Sequence, residues 1–107
     1  MDTQLKRGVL DVVVLSALLK ADSYGYQILK DISPHMTISE STLYPILRRL
    51  EAIGCLTTYS REHASRLRKY YSITPKGIGR IRDFLTEWES VMQVYSFIKG
   101  EFEREEA

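Results

Sequence analysis

Apolar residues crowd the first part of the chain and predict two helices. Between residues 9 and 19 only Asp11 and Ser16 are polar. A helix over residues 5–20 therefore carries apolar side chains on more than one face, and we expect it to be buried on two sides. Asp22 or Ser23 is placed to cap a second, short helix over residues 24–33, which ends around Pro34.

A third helix is predicted between Ser39, a good N-cap residue, and Gly54, a typical C-terminal signal. At about 100° per residue, its apolar side chains form one stripe that should face the core. The stripe consists of Leu43, Ile46, Leu47, Leu50 and Ile53. The opposite face carries Ser41, Tyr44, Pro45, Arg48 and Ala52, with Thr42 and Arg49 on its flanks.

The pattern then changes from helical to extended. Residues 56–60 and 67–73 are rich in Thr, Tyr and Leu and predict two strands, and the charged residues 61–66 predict a hairpin loop between them. Thr74 and Pro75 form a strong helix start, and a last helix should continue to near the C-terminus. Three helices, a hairpin and a long helix make a mainly α (α+β) fold. We predict a winged helix-turn-helix over residues 1–74 and a dimerisation helix over residues 75–107.

Composition excludes several functional classes. The chain has 107 residues, of which 44% are hydrophobic and 27% charged, as expected for one globular domain with an appended element. Cys55 is the only cysteine, and His35 and His63 lie far apart, so we expect no metal, no cofactor and no enzyme activity. No run reaches the ~18 apolar residues of a membrane span. A soluble, cytoplasmic protein without a membrane partner is the expectation.

Charge is distributed unevenly along the chain. The net charge is −1 over residues 1–47, +7 over residues 48–82 and −5 over residues 83–107. A polyanion would be attracted to the middle segment and repelled by the last one. The alternative is a chance segregation of surface charges in a short chain.

The polar face of the third helix suits the major groove of duplex DNA. Hydroxyls, a phenol and arginines contact base edges and phosphates, so we predict DNA contacts from Ser41, Thr42, Tyr44, Pro45, Arg48 and Arg49. The basic hairpin adds Arg66, Arg68 and Lys69 as contacts to the DNA backbone or minor groove. Pro45 is either a functional residue or a tolerated early-turn proline. The alternative function is a winged helix that binds an acidic protein partner.

Three linked motifs resemble the PadR family of transcriptional regulators. They are Tyr24-Gly25-Tyr26-Gln27-Ile28, the run from Ser39 through Thr42-Leu43-Tyr44-Pro45 to Gly54, and Arg68-Lys69-Tyr70-Tyr71 before Ile73-Thr74. The resemblance spans about residues 5–80. It implies a winged-helix domain, a C-terminal dimerisation helix and usually repression, and the single last helix is similar to the short subfamily. Glycines that such proteins often carry at the hairpin tip are absent here.

The last helix carries more apolar surface than so small a domain can bury. Its apolar residues follow alternating spacings of three and four, and a second stripe adds Phe84, Val91 and Ile98, so a partner helix from a second copy is implied. A twofold dimer would also place two third helices on a palindromic operator. The predicted interface residues are Ile81, Leu85, Trp88, Met92, Tyr95 and Phe102.

Trp88 is the candidate effector site. In drug-sensing members of the PadR family, a tryptophan of this helix lies at the dimer centre and stacks on flat aromatic compounds, and Trp88 looks similar in position. The resemblance implies a planar aromatic ligand on Trp88, with Met92 beside it and Glu89 favouring cations. The alternative is that Trp88 only fills the dimer seam.

Overall fold

A computed structural model describes residues 3–106, with side chains from Arg7 onward. Its elements are α1 (Thr3–Ser16), β1 (Ser23–Tyr24), α2 (Gly25–Ile32), α3 (Glu40–Ala52), β2 (Leu56–His63), β3 (Arg66–Ile73) and α4 (Pro75–Glu106). The predicted order of helices and hairpin is confirmed, and β1 is an addition. Residues 1, 2 and 107, at the outer ends of the two predicted segments, lie outside the described residues.

The first two helices differ from their predicted bounds. The predicted helix over residues 5–20 stops at Ser16, because the amides of Leu18 and Leu19 donate to carbonyls only three residues earlier, which tightens the chain into a turn. The N-cap of α2 is Tyr24, whose side chain makes no capping hydrogen bond. The predicted cap at Asp22 or Ser23 is therefore wrong. Ser23 instead pairs with Tyr71 as part of β1.

The strands form one antiparallel sheet in the order β1-β3-β2. The hairpin is longer than predicted, since residues 61–63 and Arg66 extend the two strands and only Ala64 and Ser65 form the turn. Both turn residues have positive φ, 50° and 65°. That conformation belongs to the type I′ turn, whose twist matches the twist of paired strands. Residues other than glycine thus make the tight turn at the tip of this hairpin, residues 56–73, which is the wing of the fold.

The two ends of α3 are capped as the sequence predicts. Ser39 accepts a hydrogen bond from the amide of Thr42 at 3.3 Å. At the other end Gly54 has a φ of 83°, and the Gly54 and Cys55 amides donate to Glu51 and Leu50. This is the Schellman arrangement, in which the residue after the cap must adopt left-handed geometry and glycine does so without strain.

The core joins α1, α2, α3 and the base of the sheet. Each of these elements contributes fully buried side chains, among them Val14, Leu15, Ile28, Leu43, Leu47, Leu50 and Leu56, and Cys55 is fully buried just before β2. The core stripe predicted for α3 is confirmed for its four buried members, and Ile53 is half-buried. Gly77 allows α4 to approach this core, because a side chain there would lie 2.5 Å from the Cys55 carbonyl oxygen and 2.8 Å from Ile73 Cγ1.

Helix α4 leaves the domain and projects away from it. The molecule extends 64 Å along its longest axis but only 25 and 23 Å across. Gly77 and Ile81 are the buried residues of this helix, and every residue from 89 to 106 is exposed. Within residues 3–106, no helix is both long enough and apolar enough to span a membrane.

Candidate nucleic-acid interface

The N-terminal end of α3 presents a group of hydroxyls. Ser41 and Thr42 are exposed, and their hydroxyl oxygens lie 2.8 and 3.2 Å from Ser39 Oγ. Each hydroxyl both donates and accepts, so the group can adapt to bases or phosphates at a helix end that already favours negative charge. The predicted polar face thus begins with three adjacent hydroxyls on the first turn.

Pro45 and Arg48 continue this face along the helix. Both side chains are exposed, one turn apart. Pro45 offers no amide to the carbonyl of Ser41, four residues earlier, and the exposure of Ser41 leaves that carbonyl accessible to water. The helix continues through the proline to Ala52. The helix therefore presents an exposed, basic and partly apolar face that could enter the major groove of DNA.

Tyr44 lies between the predicted reading face and the rest of the domain. Its side chain is 37% exposed, and its ring lies so close to Gly25 that a Cβ at that position would come within 2.8 Å of two ring carbons. Gly25 begins α2, so the contact locks the first turn of α3 against the start of α2. The motif around Gly25 therefore has a packing reason that the sequence alone did not reveal.

Arg49 does not lie on the reading face. Its guanidinium donates to the carboxylate of Asp11 in α1, and its side chain is 28% exposed. The helical wheel placed Arg49 on a flank, and the buried charge of Asp11 draws it toward α1. In the described structure this guanidinium is paired within the domain, and the DNA contact of Arg49 stays a prediction.

The hairpin residues after the turn alternate between its two faces. Register pairs Arg61 with Arg68 and His63 with Arg66, so these four side chains share one face, together with Tyr70. The guanidinium of Arg68 lies 3.9 Å from the ring centroid of Tyr24, in cation–π contact. Arg66 is exposed near the tip. Arg66 and Arg68 thus form one basic face of the wing.

Lys69 belongs to the other face of the hairpin. Its ammonium lies 3.7 Å from the carboxylate of Glu51 in α3, and that carboxylate also accepts a hydrogen bond from Thr58. Lys69 is exposed and Glu51 only partly buried, so this surface ion pair contributes little to stability. Lys69 remains accessible beside the C-terminal half of α3, apart from Arg66 and Arg68.

A hydrogen bond fastens the outer face of the sheet to the loop before β1. The hydroxyl of Tyr59 donates to Asp22 Oδ2 at 2.7 Å, and the Tyr59 and Tyr70 rings stack with centroids 5.6 Å apart. The bond from Tyr59 is the main reason that the pKa of Asp22 lies below its usual range. The same bond is the main cause of a raised pKa of Tyr59. On the inner face, burial raises the pKa of Tyr71.

The residues predicted for a dimer seam divide into two groups. Ile81 is 9% exposed and packs into the domain's own core, so it is not available to a partner, which corrects that assignment. The others on the stripe are uncovered in the single chain, from 45% exposure for Met92 and 50% for Tyr95 to 60% for Leu85 and 65% for Phe102, and Glu89 is exposed beside them. Trp88 is half-buried and stacks on Phe84 at 5.5 Å, with the two ring planes 10° apart. One face of Trp88 is thus already covered.

Comparison with known protein families identifies the family of this chain. A model of the family described as "Transcriptional regulator PadR-like family" matches residues 14–83, from α1 to the first turns of α4. The chain belongs to the PadR-like family. The predicted resemblance is confirmed, and this winged helix with one long helix after the wing is a PadR fold.

Individual relatives agree with this placement. An uncharacterized protein of Lysinibacillus sphaericus is 34% identical over 100 residues, covering 88% of this chain and 92% of its own. A transcriptional regulator of Clostridium thermocellum superposes with a TM-score of 0.78 at 37% identity, covering 90% of this chain and 95% of that one. Bacillus subtilis PadR, in a complex with operator DNA, superposes with a TM-score of 0.67 at 26% identity. That match covers 72% of this chain and 46% of the Bacillus protein.

Proposed function

We propose that this PadR-like regulator binds a palindromic DNA operator as a homodimer and acts as a ligand-responsive repressor. The observation that carries the proposal is the exposed face of Ser41, Thr42, Pro45 and Arg48 on a helix flanked by a basic wing. The similarity of the chain to a protein crystallised with operator DNA supports duplex DNA, and not an acidic protein, as the partner. In this proposal α3 enters the major groove and the wing contacts the backbone.

Each side of the interface has a separate task. Arg48 and the hydroxyls of Ser41 and Thr42 contact base edges or adjacent phosphates, whereas Arg66, Arg68 and Lys69 contact phosphates on either side of the wing. Tyr44 supports the face through its contact with Gly25 and presents its exposed edge. Phosphate contacts set the affinity and its salt dependence, and base contacts set the sequence preference.

The homodimer is proposed from the uncovered surface of α4. Large apolar side chains there are about half or more exposed: Leu85, Val91, Met92, Val94, Tyr95, Phe97, Ile98 and Phe102. A contiguous apolar surface of this extent on a soluble protein marks an interaction site. A second copy of the same helix satisfies it symmetrically and supplies the second reading head that a palindrome requires.

DNA binding is tested with a double variant and a control of equal charge. Arg48→Ala with Arg66→Ala removes one cation from α3 and one from the wing. Arg82→Ala with Arg104→Ala removes two exposed cations from α4. We expect the first pair alone to reduce operator affinity by tenfold or more and to lower the salt slope by up to about 4, since the dimer loses four cations. The measurement is fluorescence anisotropy with the chain's own promoter and with random duplex at several salt concentrations.

The outcome separates the two candidate functions. Equal loss from both variants would mean that binding is only electrostatic attraction. No affinity for any duplex at low salt would leave the acidic protein partner as the function of the basic face. Sedimentation of each variant confirms that the oligomeric state is unchanged.

The effector step is tested at Trp88. Planar aromatic dyes should quench its fluorescence saturably and weaken operator binding, because in this proposal they stack on the face of the indole opposite Phe84. Glu89→Gln should weaken the binding of cationic dyes more than the binding of neutral ones. Unchanged fluorescence in a dimeric, DNA-competent protein would assign Trp88 to the seam alone.

A further inference from the structure

Asp11 is an unusual residue in the described part of the chain. It interrupts the apolar run of α1, and its side chain is 3% exposed. Among residues 7–106 it is the one charged side chain that is buried. A buried carboxylate is retained only when its oxygens are paired and hydrogen-bonded.

The two oxygens of Asp11 are paired with arginines from two different helices. Oδ1 accepts from Arg49 Nη2 of α3, and Oδ2 accepts from Arg80 Nη2 of α4 at 3.0 Å. The carboxylate therefore bridges the proposed reading helix and the helix that carries the proposed dimer surface. Arg49 is 28% exposed and Arg80 44% exposed, so the charges are covered most completely at Asp11 itself.

A second connection joins α3 to α4 at one end. The hydroxyl of Thr74 donates to the Gly54 carbonyl at 2.7 Å and accepts from the Gly77 amide at 3.1 Å. This places the last residue before α4 against the end of α3. The packing of Gly77 and Ile81 on the core already restricts the angle between the two helices, and a second polar contact beyond Thr74 restricts it further. The bridge through Asp11 supplies the second contact.

We propose that Asp11 is a positioning residue for DNA reading: it fixes the angle between α3 and α4 and, in the dimer, the separation of the two α3 helices. The inference rests on the proposed function, because it assigns the bridge a role in operator geometry. Arg49 serves in the bridge and sets where Arg48 and Ser41 point. A tilt of α4 is transmitted to α3, because Arg80 cannot leave Asp11 without leaving one oxygen of a buried carboxylate unpaired.

The principal test compares Arg80→Gln with Arg82→Gln. Both remove one positive charge near the start of α4, but Arg82 is exposed and makes no ion pair among the described side chains. Operators are prepared with the two half-sites at the natural spacing and one or two base pairs closer or farther. We expect the preference of Arg80→Gln for the natural spacing to fall by about fivefold or more relative to Arg82→Gln.

Two further measurements exclude a general loss of structure. Binding to a single half-site should be equal in the two variants, since the reading face itself is intact. Arg80→Lys keeps the charge and should restore part of the spacing preference. The same spacing profile for Arg80→Gln and Arg82→Gln, or an equal loss at all spacings, would overturn the proposal.

A measurement without DNA separates this proposal from the proposed function. Spin labels at Ala52→Cys on α3 and Glu87→Cys on α4 report the distance between the helices, with labelled chains diluted in unlabelled protein. Both sites are exposed, and Cys55 is buried and escapes labelling in the folded protein. We expect Arg80→Gln to broaden or shift the distance distribution and Arg82→Gln to leave it unchanged. If the distribution does not change, the bridge does not fix the angle, whether or not the protein binds an operator.

Discussion

The winged domain and the second half of α4 contain similar apolar residues in opposite situations. Leu47 of α3 is fully buried by its own chain, whereas Ile98 of α4 is 59% exposed. Both lie on apolar stripes of helices with helical spacing. Periodicity therefore identifies which face of a helix will be buried. It does not identify whether the residues that bury it belong to the same chain or to another.

The largest expected effect tests this contrast directly. Leu47→Ala should lower the free energy of unfolding by about 2–5 kcal/mol at any protein concentration, because it leaves a cavity in the monomer's core. Ile98→Ala should act through association, so its cost should be full where the protein is dimeric and should shrink as the protein is diluted about a hundredfold to below the dimer dissociation constant. Urea unfolding at two concentrations measures both. An Ile98→Ala cost that does not depend on concentration would argue against α4 as the dimer seam.

Substitutions of two glycines near the start of α4 test how closely this helix packs on the core of the winged domain. Gly77→Ala should destabilise by about 1–3 kcal/mol, because the new methyl group meets the Cys55 carbonyl and Ile73. Gly79→Ala is the matched control. Apart from the adjacent backbone of α4, no described atom lies within 4 Å of a Cβ at position 79, so Gly79→Ala should stabilise by about 0.5–1 kcal/mol through helix propensity. Thermal unfolding of both variants gives the comparison, and equal shifts would mean that α4 does not pack closely at its base.

The smallest expected effect concerns pH and the exposed hydrogen bond between Asp22 and Tyr59. The pKa of Asp22 is lowered from 3.8 in the folded protein, so the stability from this bond is present above that value and is lost as the pH falls through the lower folded pKa. The pKa of Tyr59 is raised above 10, so the stability is lost again as the pH rises through the raised value.

Tyr59→Phe checks this window. The variant should melt slightly below the wild type at neutral pH, and the difference should vanish at strongly acidic pH. Tyr26→Phe, at an exposed tyrosine on α2, serves as the control and should not differ from the wild type in this respect. A Tyr59→Phe deficit that persists unchanged into acid would assign the effect to ring packing on Tyr70.

The elements of the fold were largely predictable because their signals are local. Ser39 and Gly54 mark the ends of α3, and Thr74 and Pro75 mark the start of α4. The two-residue β1 was missed because Ser23 and Tyr24 become a strand only by pairing with distant residues of β3. Residues 61–63 of β2 carry no strand signal, because both faces of the hairpin are exposed there and no apolar alternation appears.

The candidate site was predictable as a face and not as a set of contacts. The helical wheel correctly separated Leu43 and Leu47 from the exposed Ser41 and Arg48. The pairing of Arg49 was not predictable because its partner Asp11 lies 38 residues away, and the burial of Ile81 was not because its stripe serves both the core and the uncovered surface. The sequence feature that points to this ion pair is the single carboxylate within the apolar run of α1, because a buried carboxylate needs a cationic partner.

Cys55 has a practical consequence for studying this regulator. The thiol is free, fully buried and located where α3, β2 and the base of α4 meet. A thiol reagent can reach it only when that junction opens, so the rate of labelling measures how often the winged domain opens under native conditions. The unaltered chain thus carries its own reporter, and operator DNA or an effector that tightens the domain should slow the labelling of this sulfur.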